Sequence, residues 1–444
     1  MLFARFFQYG SLLALGAYAQ QTSPILPSIT QAVTTLSGGP IAPITGSSEA
    51  SVPSGSFQSV TTTITVSSAN TATGSKTVLV GTNKESLITS NGTPANPTQA
   101  ANTLLLVSST STSVLPVNTQ PCNGFLELCS RKYSNITQVA AHNSGFHIPG
   151  NAASNQFFDV TTQLNDGIRL LQTQTHIVNG VVHMCHTSCF LLDAGPLVTY
   201  LTTIASWVKT HPYDVVTILI ENGDNVNVST FVGPIQDSGL MPFAYIPPKI
   251  PMDLGDWPTL ESMILSGTRV VFLLDFLANQ TQIPILIDEF SQMWETPFDP
   301  TNASFPCTVQ RPPGLSDADA RNRMYMANHN RNTAIDLLGN VIDVPTIPLL
   351  PITNGVSGFG SLGAAAQTCV DMWNRAPNWL DVDFYNIGDG SVFEVAAKWN
   401  NVVYNRTCCG AKTSGAIGSS SRDLIGPARI LAAIIAVLTC WVLS

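Results

Sequence analysis

From Gln21 to Gln120 the chain has almost nothing with which to build a core. These 100 residues hold 38 Ser/Thr, four charged residues, one aromatic (Phe57) and no cysteine. Without large apolar side chains, burial does not offset the entropy lost on ordering the backbone. Dense hydroxyls with scattered prolines read as an O-glycosylated stalk over residues 20–120. The β-like runs SVTTTITVSS and KTVLVG leave a small sandwich as the alternative. Cys122 opens a segment of different character, residues 121–409, which carries the material for a folded domain.

Both ends read as addressing signals. Residues 1–19, MLFARFFQYGSLLALGAYA, combine Arg5, a short apolar centre and an Ala-Tyr-Ala end, the pattern of a secretory signal peptide. Residues 430–444 form an apolar tail behind a small-residue and polar segment, 410–429. That order is the signal for a glycosylphosphatidylinositol anchor, with Ser414 or Gly418 as the attachment residue. A plain C-terminal membrane anchor is the alternative, although the run is short for a span.

Secretion is supported by the cysteines and sequons. Cys440 lies in the tail; Cys122, Cys129, Cys185, Cys189, Cys307, Cys369, Cys408 and Cys409 can all pair in an oxidising compartment. Asn91, Asn135, Asn227, Asn279, Asn302 and Asn405 each open an N-glycosylation sequon. The expectation is a protein on the outer cell surface, tied to the plasma membrane or cell wall by a lipid anchor. A formal charge of −9 without a basic cluster argues against nucleic acid and against simple adsorption to anionic lipid.

Within 121–409, short apolar runs end in polar or ionisable residues: TQVAAHNS, GIRLLQTQTH, DVVTILIEN, TRVVFLLDF, RMYMANHN and WLDVDFYN. They show little strict alternation, as strands buried on both faces of a parallel sheet do. PLVTYLTTIASWVKTHP and VFEVAAKWNNVV have helical spacing. This alternation predicts an α/β fold, a TIM-barrel-like (β/α) barrel, regular or distorted, with its site at the C-terminal strand ends. A doubly wound open sheet fits the same pattern. His142, Glu221, Asp275 and Asp383 all stand at such ends. His186 follows His142 by 44 residues, and two histidines that titrate near neutrality suit paired acid–base work.

HNS after an apolar strand, GIRLLQTQTH, MCHTSC, HPYDVVTILIEN and WLDVDFYN occur in the order found in phosphatidylinositol-specific phospholipases C. The chain resembles their catalytic X region, above all the secreted fungal-type members, well over 137–222 and more loosely beyond. The resemblance implies a phosphoric diester hydrolase acting on a phospholipid or glycolipid phosphodiester. His142 would be the base that deprotonates the inositol 2-hydroxyl and His186 the acid that protonates the leaving oxygen. Asp383 would orient His142, with Asp381 in reserve on the same strand face.

Calcium-dependent relatives hold their metal with the asparagine after the first histidine, two acids on the second strand and a Glu in an LEN-like motif. Here Asn143 and Glu221 remain as calcium and phosphate ligands, but Gln172 and Gln174 replace the acids. Two lost charges weaken calcium binding. Metal-free relatives place an arginine where Gln174 stands, so the charge of the phosphorane has no assigned partner.

Each residue also has a structural reading. His142 fits a satisfied interior histidine, His186 a loop brace between Cys185 and Cys189, and Glu221 a loop support. Arg169 fits an ion-pair partner as well as a phosphate ligand, and Asp275 either role. His183-x-Cys185-His186-x-x-Cys189 matches a zinc spacing, but secretion favours a disulfide. GFGSLG, Gly358 to Gly363, reads as a helix-opening loop, and no G-x-S-x-G elbow exists. His147, His176, His211 and His329 show no partner spacing. The competing functions are a surface binding or cell-wall protein that kept the fold without turnover, and a phosphodiesterase for another headgroup.

Overall fold

The computed structural model describes residues 120–337 and 340–410, together with the two-residue strand Ile64–Thr65. The expected signal peptide, the rest of the expected stalk, the Asn91 sequon, Ser414, Gly418 and the apolar tail lie outside the described residues. Ile64–Thr65 pairs antiparallel with Lys249–Ile250, so one fragment of the serine/threonine-rich region meets the folded domain.

The first strand, β1 (Gln138–Ala141), is followed by β2 (Leu170–Val178), which overshoots the sheet and turns back as β3 (Val181–Cys185) and β4 (Asp193–Pro196). Then come β5 (Val216–Asn222), β6 (Val270–Leu274), β7 (Leu286–Asp288), β8 (Met293–Glu295), β9 (Met324–Asn328) and β10 (Trp379–Val382). Hydrogen bonding runs in the order β8-β9-β10-β1-β2-β5-β6-β7, every pair parallel. This is the chain order taken cyclically: each strand lies beside its sequence neighbour, and β10 pairs with β1, Trp379 opposite Gln138. The sheet is therefore a TIM-barrel-like ring. It has one seam, between β7 and β8, which the single turn Glu289–Gln292 links without ladder bonds.

Strand residues alternate between two apolar environments, which explains the weak alternation in the sequence. Leu171, Ile218, Ile220, Phe272 and Leu274 pack outward against helices such as α2 (Leu197–Thr210), through Leu197, Leu201, Ile204 and Val208. Leu170, Leu219, Val271, Leu273, Met326 and Trp379 point into the barrel, where Tyr133, Trp257 and Met263 fill it.

The GFGSLG loop opens a helix, Leu362–Trp373, whose N-cap Ser361 accepts from Ala364 N. Gly363 is required there, because a Cβ would stand 1.8 Å from the Val356 carbonyl oxygen. The cysteines pair as Cys122–Cys129, Cys185–Cys189, Cys307–Cys369 and Cys408–Cys409. No helix among the described residues is long and apolar enough to cross a membrane.

Candidate active site

The inward parity of each strand, continued past its apolar residues, delivers a polar side chain to the barrel's C-terminal mouth. Ala140 leads to His142, Leu170 to Gln172 and Gln174, Leu219 to Glu221, and Leu273 to Asp275. Met293 leads to Glu295, Met326 to Asn328, and Trp379 to Asp381 and Asp383. A period-two rule thus places both histidine-bearing and acid-bearing strand ends around one opening.

His142 is the best-held member. Its Nδ1 lies 2.8 Å from Asp383 Oδ1, and Asn155 Nδ2 donates to the same oxygen at 2.9 Å. Gln156 Nε2 donates to the carbonyls of His142 and Val382, tying the ends of β1 and β10 together. The Asp383 loop is pinned by Asn354, whose amide donates to the carbonyls of Asp383, Phe384 and Ile387. Asp383, not Asp381, therefore meets the imidazole.

Burial opposes a charge on His142, but Asp383, Asp381 and Asp299 outweigh it and raise its pKa to about 10. Asn143 Nδ2 lies 3.1 Å from Nε2, a geometry that serves the neutral ring, while its Oδ1 is buried with no partner. Rotating that amide would let Oδ1 accept from the Nε2–H of the imidazolium, so Asn143 suits either protonation state.

His186 stands at the C-terminal end of β3, its ring edge-on to Phe146 at 5.1 Å. Burial and the charge on His142 lower its pKa to about 3. Its Nδ1 is buried without a partner. The pair accordingly holds one proton at neutral pH, on His142 rather than on His186.

Burial raises the pKa of most of the acids around them. Burial and the nearby charge of Glu221 raise Asp275 to about 8; burial likewise raises Asp381 to about 8, against the pull of His142. Burial also raises Glu221 and lifts Glu289 well above its usual value. Glu295 is the exception: burial opposes its charge, but Arg311, with hydrogen bonds from Glu289 and Asn328, holds it below the usual carboxylate range. Arg311 Nε donates to Glu295 Oε2 at 2.8 Å.

Arg311, Asn155, Asn328 and Asn354 were not picked out from the sequence. Arg311 lies on no strand, and only the bridge between Glu295 and Arg311 brings it in. For Asn155 and Asn354 the signal was compositional at best, amides in loops that follow strand ends.

Arg169 is corrected as a phosphate ligand. It sits at the opposite end of the barrel, pairs with Asp214 at 2.7 Å and donates to the carbonyls of Leu164 and Ile168. It precedes β2, at the strand's N-terminal end, which is why it never reaches the mouth. The zinc spacing also falls away, since Cys185 and Cys189 are joined. Gln174 Oε1 is engaged by Thr187 N at 2.7 Å, so it braces the His186 loop. The sequon residues Asn135, Asn227, Asn279, Asn302 and Asn405 are exposed.

The residues fit calcium poorly. Glu221 accepts from Gln172 Nε2, leaving Gln172 Oε1 and Asn143 Oδ1 as neutral oxygens beside one carboxylate. Calcium takes six to eight oxygens and gains from carboxylate charge. No group of three or more His, Cys, Asp or Glu side chains among the described residues is arranged to hold a metal ion.

The chain thus forms a curled parallel barrel with two histidines at its C-terminal mouth. The "PI-PLC X 1" family model matches residues 128–400, and the chain belongs to that family, the PI-PLC X domain proteins. It is 52% identical over 383 residues to an Arthroderma benhamiae protein named "Uncharacterized secreted protein", covering 86% of this chain and 85% of that one. It is 40% identical over 289 residues to that organism's "PI-PLC X domain-containing protein 1", covering 64% of this chain and 92% of the relative. Among solved structures, the phosphatidylinositol-specific phospholipase C from Listeria monocytogenes aligns over 62% of this chain and 96% of its own, at 13% identity and TM-score 0.41.

Proposed function

We propose that the protein cleaves the phosphodiester of an inositol phospholipid, or of its glycan-linked form, at the outer cell surface. His142, oriented by Asp383, takes the proton of the inositol 2-hydroxyl. The oxygen attacks phosphorus and forms the five-membered cyclic phosphate as the bond to the glycerol oxygen breaks. His186 gives that leaving oxygen its proton. In the resting pair the proton lies on His142, and a phosphate anion beside His186 favours its transfer there.

The observation that carries this reading is the His142–Asp383 pair with a second histidine, His186, beside it at the barrel mouth. The choice of a polyol rests on acceptor oxygens that no protein donor satisfies: Asn143 Oδ1, Gln172 Oε1, Asp383 Oδ2, Glu295 Oε1 and both oxygens of Asp381. Buried acceptors are normally paired, and hydroxyls of an inositol ring would supply the donors. A lipid on the other side of the phosphate is supported by the rim. Phe157, Phe190 and Phe359 are 59%, 81% and 81% exposed, on loops that leave C-terminal strand ends. Residues 143–158, 187–192 and 346–370 contain no Asp, Glu, Lys or Arg. Apolar, uncharged rims suit contact with lipid.

Phosphorus NMR of the secreted chain with phosphatidylinositol, in calcium and in chelator, tests the reading. A cyclic inositol phosphate signal in both lanes, absent in His142→Ala, is the expected result. A binding role without turnover is the second reading, because Glu295 neutralises Arg311 and leaves the phosphorane no other fixed cation among these site residues. Inositol phosphate binding by a folded, silent protein would establish it.

A further inference from the structure

We infer that the barrel sits with its mouth against the lipid layer in which its own C-terminal tail is anchored, resting on the arc of rim that holds Phe157 and Phe190. The chain enters and leaves the domain at opposite ends. Asn123 meets Gln138 and Val215 at the starts of β1 and β5, so the Ser/Thr-rich segment joins at the N-terminal end of the barrel. Ile64–Thr65 pairs with Lys249–Ile250 at that same end. Tyr245 and Leu254, on either side of this strand, bond Val270 and Asn322, at or just before the starts of β6 and β9.

The last described residues run the other way. Asn400, at the end of the helix Ser391–Asn400, bonds Thr137 just before β1. From there the chain turns back along that helix. Tyr404 stacks on Phe393, and Cys408 Cβ reaches the mouth-end cap, 3.1 Å from where a Cβ on Gly390 would stand. Gly410 then lies across the helix Val160–Asp166. Its N–H donates to the Asp166 carboxylate, and a Cβ on it would stand 2.6 Å from the Phe158 ring. Phe158 meets the rim residue Phe157 edge-on, ring centroids 6.1 Å apart. One aromatic ring thus separates the point of exit from the exposed rim.

The rim is divided into two arcs. Exposed Phe157 and Phe190 stand on the loops after β1 and β3, on the side where Gly410 leaves. Exposed Asn227 and Asn279 open sequons on the loops after β5 and β6, and a bulky, solubilising glycan keeps that arc in water. Asn302 and Phe359 mark the boundary, since Gly360 lies against Ala303. The apolar arc therefore faces lipid and the glycan arc is tilted up.

The length of the tether selects the surface. Ser414 and Gly418 stand four and eight residues beyond Gly410. At about 3.6 Å per residue they lie at most roughly 14 and 29 Å away. The barrel wall is about 21 Å tall, the rise of the 14-residue helix Leu197–Thr210. A tether to Ser414 is shorter than the wall, so it hangs the domain by the end toward which the chain leaves. The orientation needs the anchor that the tail signals, and the phosphodiesterase reading enters only through the lipid cleaved.

The test uses the full-length anchored protein, purified from a eukaryotic host and reconstituted into vesicles of brominated phosphatidylcholine. Phe190→Trp probes the apolar arc, and Leu126→Trp probes exposed Leu126 at the opposite end, with the seven native tryptophans as baseline. The bromolipid should quench the added tryptophan of Phe190→Trp and not that of Leu126→Trp. Quenching of Leu126→Trp, no added quenching in either, or a chain secreted without its anchor would overturn the inference. Phosphatidylinositol is then placed in the protein's own vesicles or in separate ones. Cyclic inositol phosphate from its own vesicles alone is expected, and equal release from separate ones would overturn the orientation. Silence in both arms would count against the phosphodiesterase reading alone, with the quenching pattern still deciding the orientation.

Discussion

The two ends of the barrel use polar side chains in opposite ways. At the N-terminal end they are spent on the structure. Arg269 donates to the carbonyls of Val208, His211 and Asp214, and Arg169 is locked to Asp214. Tyr133 meets Thr217 at 2.6 Å, and Asn400 closes both the N–H and the carbonyl of Thr137. At the C-terminal end, buried oxygens of Asn143, Gln172, Asp381 and Glu295 have no donor. A fold can leave such groups unpaired only where stability is supplied elsewhere, and here it is supplied by the opposite end.

The contrast predicts separable losses. His142→Gln, which keeps a polar group toward Asp383, should lower turnover by about 10²- to 10⁴-fold while the melting curve moves little. A large drop in melting temperature would break the division between the ends. Arg169→Ala should do the reverse: it leaves half-buried Asp214 and the carbonyls of Leu164 and Ile168 without their donor and costs roughly 1–3 kcal/mol in a denaturant titration, with the turnover of folded molecules unchanged.

Asp383→Asn should come next, with a turnover loss of about 10²-fold and a His142 pKa well below about 10 in an imidazole NMR titration. An unmoved pKa would show that Asp381 and Asp299 set it instead.

The pH dependence of stability has a definite sign. His142, Asp275 and Asp381 have raised pKa values, so the folded state binds more protons than the unfolded chain and stability falls as pH rises. Loss runs from about 4 to about 8 for the two acids, and from about 6.5 to about 10 for His142. His186 acts oppositely, costing stability as pH falls from about 6.5 toward 3. Melting temperatures across this range check it; flat behaviour above neutrality would contradict the charge assignment. The smallest effect belongs to the rim, where Phe190→Ser or Phe359→Ser should each weaken partition into neutral vesicles about fivefold, roughly 1 kcal/mol.

Much of this was legible in the residues. Six apolar runs ending in polar groups became β1, β2, β5, β6, β9 and β10, and both long helical patterns hold helices. The strands β7 and β8 escaped because three residues each carry no period. Strand ends placed His142, Glu221, Asp275 and Asp383, but not Arg169, which precedes its strand and so stands at the other end of the barrel. Arg311 was illegible because it enters through a bridge between segments, and no single run displays it.

The seam between β7 and β8 has a mechanical consequence. A closed ring of ladder bonds resists widening equally all round, whereas a ring cut once yields at the cut. Here the cut is flanked by two three-residue strands, and Arg311 fastens to Glu295 at the end of β8. The mouth is therefore stiff on the side of His142, between β10 and β2, and compliant on the far side. Widening at the seam would leave the spacing of the two histidines undisturbed.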